Sequence, residues 1–241
     1  MKKFFTVIGG MGTAATESYI RLLNARTPAK KDQDYLNYIL VNHATVPDRT
    51  SYILDHDQPS FYPALLDDIE QQNLLNPEFI VMVCNTAHYF YEDLQKNSKA
   101  PILHMPRITI QHIRDAYPEV KRVGLIATKG TLADGIYENE LKRQNYDYTL
   151  GDDQIKKDVM TLIYDDIKEK GTVDHDLYHS ILKRMHDDFG AEVIVLGCTE
   201  LSLAQEKAPD HPYKVADSQS IIVDKSIELA EKIRKGEKVN F

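Results

Sequence analysis

The sequence predicts an α/β protein with two similar domains, and three observations support this. Short apolar runs alternate with longer amphipathic stretches along the 241-residue chain. The short runs are continuous rather than alternating, as in parallel strands buried on both faces. The two halves of the chain also repeat each other. In each domain we expect a mostly parallel sheet flanked by helices, with pseudo-two-fold symmetry between the domains and a site in the cleft between them.

The predicted elements follow one another with few residues between them. The strands are 4–9, 37–42, 79–84, 102–105, 122–127, 148–151 and 192–198. The helices are 13–26, 60–73, 87–96, 107–116, 131–145, 153–169, 174–189 and 218–235. Gly171 and Gly190 stand where helices are expected to end, and Pro77, Pro101 and Pro118 fall between elements.

Two pairs of segments carry the repeat. TVIGGMGT (6–13) has a counterpart in VGLIATKGT (123–131), each a strand, a turn with Gly and Thr, and a helix start. EFIVMVCNTA (78–87) has a counterpart in AEVIVLGCTEL (191–201), each an apolar run that ends in a cysteine before a helix. We predict a duplicated half-domain, with one thiol in each half at the strand end where open α/β sheets bind ligands. The first domain is placed at 1–110 with the C-terminal helix 213–241, and the second at 111–212.

Composition excludes several functional classes. The net charge of −8 provides no basic field for nucleic acid or a membrane surface, but a local cationic pocket for a small anion remains possible. No apolar stretch reaches the roughly 18 residues of a membrane-spanning helix, and the start MKKFFTVIGG does not have the pattern of a signal peptide. Two cysteines do not form a disulfide scaffold. We expect a cytoplasmic protein with reduced thiols and no nucleic-acid or membrane partner.

Cys84 and Cys198 each stand at the end of a predicted strand, directly before a helix. A buried strand cysteine is most often a small hydrophobic residue, and a disulfide is a second alternative. Neither cysteine has a metal-ligand spacing, so no metal is predicted. A Cys-His hydrolase through His88 would leave the second cysteine unexplained. The positive end of the helix dipole is expected to lower the pKa of both thiols.

Two thiols across a cleft suit the inversion of a stereocentre. One proton must leave one face of a carbon, and another must arrive on the opposite face. A thiolate and a thiol perform this in both directions by exchanging roles.

Six separated motifs resemble the aspartate/glutamate racemase family, and most closely its aspartate racemases. They are GGMGTAAT (9–16), VNHATVPDRT (41–50), CNTAHYFYEDL (84–94), IATKGT (126–131), LIYDDIKEKG (162–171) and GCTEL (197–201). The resemblance covers nearly the whole chain. It implies an amino-acid racemase that needs no cofactor, two facing α/β domains with the substrate between them, and a homodimer.

The resemblance also implies roles for individual residues. Cys84 and Cys198 would be the two catalytic bases. The α-carboxylate and amino group would be held by side chains or backbone amides of Met11, Gly12, Asn85, Thr86, Thr128 and Thr199. Arg49 would bind the side-chain carboxylate as a planar fork, and Lys168 would contact it from the other domain. Outside its motif, Arg49 is typical of a surface turn and Lys168 of a solvated helix face.

The chain departs from the glutamate racemases at two places. They carry an Asp-Ser pair where this chain has the turn 9–12, and a His where it has Glu200. Glu200 either helps to set the protonation of Cys198 or is a helix-start residue stabilised by the helix dipole. For His88 we prefer a helix-surface or dimer-contact position over a catalytic role.

We therefore predict a racemase that interconverts L- and D-aspartate by two-cysteine 1,1-proton transfer. The alternatives are a glutamate or broad-specificity racemase, a decarboxylase or isomerase of related fold, a cysteine hydrolase, and a non-catalytic module that binds acidic amino acids. Some of the decarboxylases and isomerases use one cysteine position, and a binding module needs neither. Aspartate and glutamate differ by one methylene, worth about 1–3 kcal/mol of discrimination, which the motifs do not resolve.

Overall fold

A computed structural model, which describes residues 1–239 and 241, contains two parallel four-stranded sheets. The strands of the first sheet are β1 (Phe5–Gly9), β2 (Tyr38–Asn42), β3 (Ile80–Met82) and β4 (Ile102–Leu103). Those of the second are β5 (Arg122–Ile126), β6 (Asp147–Thr149), β7 (Val193–Leu196) and β8 (Val215–Asp217). The orders β2-β1-β3-β4 and β6-β5-β7-β8 have the same topology. The predicted α/β fold and its repeat are confirmed.

Helices connect the strands. They are α1 (Thr13–Arg26), α2 (Arg49–Leu54), α3 (Tyr62–Leu75), α4 (Tyr91–Asn97), α5 (Met105–Ala116), α6 (Lys129–Asp134), α7 (Ile136–Arg143), α8 (Asp153–Met160), α9 (His175–Asp187), α10 (Thr199–Lys207) and α11 (Ser218–Lys235). Helix α8 continues as a π-helix over Thr161–Lys170, and short 3-10 turns cover Asp32–Asp34 and Thr86–Phe90. Within the described ranges, 1–239 and 241, no helix has the length and apolarity to cross a membrane.

Strand β1 shows why the apolar runs are continuous. It is buried at every position, and it pairs in parallel with β2 on one side and β3 on the other. Successive side chains point to opposite faces, so Phe5 and Val7 pack in the layer of α1 and α11. Ile8 packs on the other face with Leu65 and Ile69 of α3. Helices cover both faces, and both faces are therefore apolar.

The C-terminal helix returns to the first half of the molecule. Ile222, Val223 and Leu229 of α11 belong to the core that contains Phe5 and Val7. In contrast, β8 pairs with β7 and extends the second sheet, although it lies after residue 213. We infer that the boundary between the domains falls between β8 and α11.

Several element boundaries differ from the sequence prediction, each for a local reason. Gly135 adopts a left-handed conformation with φ of 71° and divides the predicted helix 131–145 into α6 and α7. Strand β8 has three residues and α2 has six, too few to produce a clear periodicity. Strands β3 and β7 end at Met82 and Leu196, so each cysteine stands two residues beyond its strand.

Helices α2 and α6 pack together and join the two halves beside the cleft. A Cβ at Gly130 would lie 2.8 Å from Thr50 Cα, a backbone atom that cannot move without the helix. We expect Gly130→Ala to lower the free energy of unfolding by about 1–3 kcal/mol through overpacking. Urea denaturation measures this, with exposed Lys129→Ala as the neighbouring control. Equal stability of the two variants would contradict the close packing.

Candidate active site

The two cysteines occupy equivalent positions in the two sheets. Cys84 follows β3 and Cys198 follows β7, the strands that pair with β1 and β5 respectively. Both thiols are free and buried, and both line one pocket between the halves. The carboxyl ends of the two sheets therefore meet at this pocket, as expected for ligand sites of open α/β sheets.

The pocket has a volume of about 260 Å³, including the space at its mouth. It brings together nine of the ten predicted site residues, namely Met11, Arg49, Cys84, Asn85, Thr86, Thr128, Lys168, Cys198 and Thr199. Gly12 lies at its edge, because a Cβ there would be 3.0 Å from Glu200 Oε1. Sequence reasoning did not assign Asp48, Thr50 or Tyr164 to the site, although each stands within four residues of Arg49 or Lys168.

The turn after β1 brings Met11 into the pocket wall. Gly10 has a φ of 89°, and a Cβ on it would lie 2.4 Å from the backbone of His43, so only glycine fits. Thr16 Oγ1 accepts a hydrogen bond from Gly10 N (2.9 Å) and donates one to Gly12 O (2.8 Å). These two bonds close the turn and fix Met11 and Gly12 in place.

Arg49 is buried, and backbone carbonyls hold its guanidinium in the pocket wall. The acceptors are Met11 O for Nη2 (3.1 Å), and Val46 O (3.1 Å) and Pro47 O (2.9 Å) for Nη1. Its buried Nε–H has no hydrogen-bond partner among the described residues. Burial by itself would lower the pKa of Arg49, but the neighbouring Cys84 and Asp48 raise it, so the guanidinium stays charged. A buried cationic donor without a partner is stabilised by a bound anion.

Lys168 reaches the same pocket from the second half. Its Nζ lies 3.8 Å from Glu200 Oε1 and 4.4 Å from the centre of the Tyr164 ring. Burial alone would lower the pKa of Lys168, but the negative charge of Glu200 raises it. Lys168 and its neighbour Tyr164 both lie on the π-helix, a conformation frequent at functional sites.

A hydrogen bond across the pocket connects the π-helix to the first half. Tyr164 OH donates to Asp48 Oδ2 at 3.2 Å. Asp48 also caps α2, accepting from Ser51 N at 2.7 Å. Arg49 is the first residue of that helix, so the cap and the tyrosine together fix the position of the guanidinium.

Cys198 donates its thiol hydrogen to Glu200 Oε2 over 2.9 Å. Burial raises the pKa of Cys198 well above its usual range, and the adjacent carboxylate raises it further. The expectation that a helix start lowers this pKa is therefore wrong, although α10 does begin at Thr199. At Cys84 the following segment is a five-residue 3-10 turn, which provides little helix dipole.

Three threonine hydroxyls form a cluster between the halves. Thr86 Oγ1 lies 3.2 Å from Thr128 Oγ1 and 2.9 Å from Thr131 Oγ1. Thr128 also caps α6, accepting from Thr131 N at 3.2 Å. The cluster shows that Thr131, absent from the predicted site, supports the two threonines that line the pocket.

The side chain of Asn85 lines the pocket and is held by two hydrogen bonds to the protein. Its Nδ2 donates to Ser218 Oγ (2.9 Å), and its Oδ1 accepts from Tyr137 OH (2.5 Å). Asn85 therefore shapes the pocket wall and connects it to α7 and the start of α11. Each of these two atoms keeps one further hydrogen-bonding position, so the role of holding the substrate stays a prediction.

His88 is a buried structural residue, so the preferred surface or dimer-contact position is wrong. It is 1% exposed. Its Nδ1–H donates to Cys84 O (2.9 Å), and its Nε2 accepts from Met105 N (3.1 Å). Burial lowers the pKa of His88, which keeps the ring neutral. The imidazole thus holds the backbone of the Cys84 turn.

Residues 8–225 match the family described as Asp/Glu/Hydantoin racemase. The chain belongs to this family. Among curated relatives of the racemase, the broad specificity amino-acid racemase RacX of Bacillus subtilis is 26% identical over 202 residues, covering 81% of this chain and 85% of RacX. A glutamate racemase of Histophilus somni is 30% identical over 170 residues, covering 66% of this chain and 61% of that protein.

Solved structures of racemases have the same fold. The aspartate racemase of Picrophilus torridus superposes with a TM-score of 0.76 at 27% identity, covering 93% of this chain and 94% of that one. The glutamate racemase of Francisella tularensis in complex with D-glutamate superposes with a TM-score of 0.64 at 16% identity, covering 99% of this chain and 84% of that one. At this low identity the similarity shows the fold alone. The resemblance to the racemase family and the two-domain α/β fold are confirmed.

The role of His88 in this racemase makes stability depend on pH. His88→Ala leaves the Cys84 carbonyl and the Met105 amide unpaired in the core, at a cost of about 1–3 kcal/mol. The pKa of His88 is lower in the folded than in the unfolded state, so its contribution is complete above about pH 6.5 and is lost as the pH falls. Urea denaturation of both proteins across this range should show a difference in unfolding free energy that shrinks toward acid. Exposed His112→Ala is the control, and a difference independent of pH would contradict the assignment.

Proposed function

We propose that this racemase interconverts L- and D-aspartate by proton transfer between the substrate α-carbon and two thiols, with no cofactor. The observation that carries the proposal is the placement of Cys84 and Cys198 at equivalent strand ends of two repeated sheets, both lining one small polar pocket. Packing alone is the usual explanation of a single buried cysteine. Two cysteines that meet at one ligand site can place one acid/base group on each face of a substrate carbon.

The charges of the pocket favour a dicarboxylate. Arg49 and Lys168 enter from opposite halves, and both are cationic. The unpaired Nε–H of Arg49 supports bidentate binding of a carboxylate together with the second Nη2 hydrogen. We assign the side-chain carboxylate of aspartate to Arg49 and Lys168. The α-carboxylate then lies against the hydroxyls of Thr86, Thr128 and Thr199 and the backbone amides beside them.

In the proposed reaction, one thiolate removes the α-proton and becomes a thiol. The electron pair of the C–H bond passes into an enediolate, whose charge is stabilised by preorganised amides and hydroxyls at the α-carboxylate. The opposite thiol then donates its proton to the other face of the carbon and becomes a thiolate. The enclosed pocket limits competing water and strengthens these electrostatic interactions.

Two comparisons bear on the substrate. The Picrophilus torridus structure is that of an aspartate racemase, and it aligns over nearly the full length of both chains. The similarity to the broad specificity enzyme of Bacillus subtilis supports a second candidate, a racemase with a wider range of amino acids. A survey of amino-acid enantiomers separates the two candidates, because a broad enzyme would also racemise substrates without a side-chain carboxylate.

The two thiols are tested by Cys84→Ala and Cys198→Ala. Each should lower kcat/KM for aspartate racemisation by about 10²–10⁴-fold or more, because one acid/base group is lost. Incubation of L- and D-aspartate in deuterium oxide, without added cofactor, measures both the loss of optical rotation and solvent deuterium at the α-carbon. Exchange without inversion in a single variant would fit a two-base mechanism. Full racemisation by either variant would exclude it, and circular dichroism verifies folding.

The proposed binding of a substrate carboxylate by Arg49 is tested by Arg49→Lys. The substitution keeps the positive charge but removes the planar fork and the bonds to three backbone carbonyls. We expect kcat/KM for aspartate to fall by about 10–100-fold, as for loss of one or two charged hydrogen bonds. The matched control is Arg143→Lys, at an exposed position paired with Glu140. An unchanged kcat/KM in Arg49→Lys would argue against carboxylate binding at this residue.

A further inference from the structure

The two thiols stand in opposite electrostatic surroundings. Cys84 lines the same pocket as Arg49, and the two groups interact electrostatically. Cys198 is hydrogen-bonded to the carboxylate of Glu200. An anion beside a cysteine favours the thiol form, and only Cys198 has a carboxylate bonded to its sulfur in the described part of the chain. The repeated fold therefore presents two chemically unequal cysteines to the substrate.

We infer that Glu200 is a positioning residue that keeps the proton on Cys198 in the resting enzyme, so that Cys84 is the first base and Cys198 the first acid. This inference rests on the proposed racemase function and adds to it the starting state of the reaction. It also decides between the two roles considered for Glu200 from the sequence. The carboxylate acts on the thiol through a direct hydrogen bond, in addition to standing in the first turn of α10.

The surroundings of Glu200 fix its carboxylate against the thiol. The side chain is buried, with 3% of the residue exposed. Oε2 accepts from Cys198 Sγ and, at 3.4 Å, from Thr199 Oγ1, while Oε1 lies 3.8 Å from Lys168 Nζ. Gly12 gives Oε1 room, because a Cβ there would lie only 3.0 Å away. Both carboxylate oxygens thus have neighbours that line the site.

Ionisable groups from several elements face Cys198. They are Lys168 and Tyr164 on the π-helix, Tyr137 on α7 and Glu200 on α10, while Asp48, Arg49 and Cys84 line the pocket from the first half. Lys168 opposes the effect of Glu200, but burial and the carboxylate prevail and raise the pKa of Cys198. Glu200 therefore adds a direct hydrogen bond to the burial that already favours the thiol form of Cys198.

The proton balance gives a kinetic consequence. The α-proton passes to the Cys84 thiolate, and the Cys198 proton passes to the opposite face of the carbon. The enzyme is left with a Cys84 thiol and a Cys198 thiolate beside Glu200, a form that two adjacent negative charges disfavour. It returns to the resting form by exchanging protons with water, or it converts the opposite enantiomer. The equilibrium constant of racemisation is unity, so kcat/KM must be equal for the two enantiomers, and the asymmetry appears in kcat and KM separately.

The test is a titration of Cys198 alone. In Cys84→Ser, Cys198 is the remaining cysteine of the sequence, so the pH dependence of its alkylation rate with iodoacetamide reports on this thiol without interference from the 14 tyrosines. Adding Glu200→Gln removes the charge and keeps the shape, and the titration midpoint should fall by about one pH unit or more. Adding Glu206→Gln instead, on the same helix but paired with Arg21 at the surface, should leave the midpoint unchanged. Coincident titrations of Cys84→Ser with and without Glu200→Gln would overturn the inference.

Two further measurements separate this inference from the racemase proposal. If Glu200→Gln does not fold, Glu200→Asp withdraws the carboxylate from Sγ by one methylene, and the midpoint should fall in the same direction. With Cys84 restored, Glu200→Gln should change the ratio of the kcat values for L- and D-aspartate, with matching changes in KM. An unchanged ratio together with an unchanged midpoint refutes the role of Glu200 even in an active racemase. A shifted midpoint supports it even where aspartate is not racemised, a result that would refute the proposed function alone.

Discussion

Parallel pairing within two sheets of identical strand order is the constraint on which the rest of the site depends. Because β3 and β7 hold the same place in their sheets, the residues that follow them leave the sheets at corresponding edges. Cys84 and Cys198 need no unusual backbone to reach one pocket, since each stands two residues beyond its strand. The contacts that hold each cysteine in place differ between the two halves. His88 bonds the Cys84 turn to the start of α5, whereas Cys198 directly precedes α10 and bonds to a residue of its first turn.

The pocket concentrates charge that does little for the stability of the fold. A buried cation costs desolvation free energy that ion pairing only partly recovers. Arg49 avoids part of this cost by donating to three backbone carbonyls, which fix its plane and leave Nε–H without a partner in the described part of the chain. Lys168 is stabilised by Glu200 and by the face of Tyr164. Such an arrangement is prepared for an anion, because a ligand carboxylate would satisfy groups that the protein itself leaves incomplete.

The sequence predicts the parts of this molecule that local physical chemistry determines. Strand β1 and helices α1 and α11 lie within a residue of their predicted bounds, because their apolar patterns and caps are local. Arg49 and Lys168 could be assigned only through motifs, since nothing adjacent in sequence shows that either side chain is buried. The two partners that hold the Asn85 amide, Ser218 and Tyr137, could not be predicted because they are remote in sequence. The thiol of Cys198 was misjudged because burial and a carboxylate two residues away outweigh the helix start.

Racemisation itself explains why a repeated fold carries unequal residues at equivalent positions. In the proposed reaction, the two enantiomers of an acidic amino acid present the α-hydrogen to opposite sides while their carboxylates stay bound in nearly the same places. The symmetry of the two sheets therefore suits the two proton-transfer groups, but it is not required of the residues proposed to bind the carboxylates. Two residues after its cysteine, the first half has Thr86, which joins the hydroxyl cluster, and the second has Glu200, which holds the thiol proton. Duplication accounts for the paired thiols, and in the proposed mechanism the divergence of the residues around them would give a fixed substrate orientation and a defined starting protonation state.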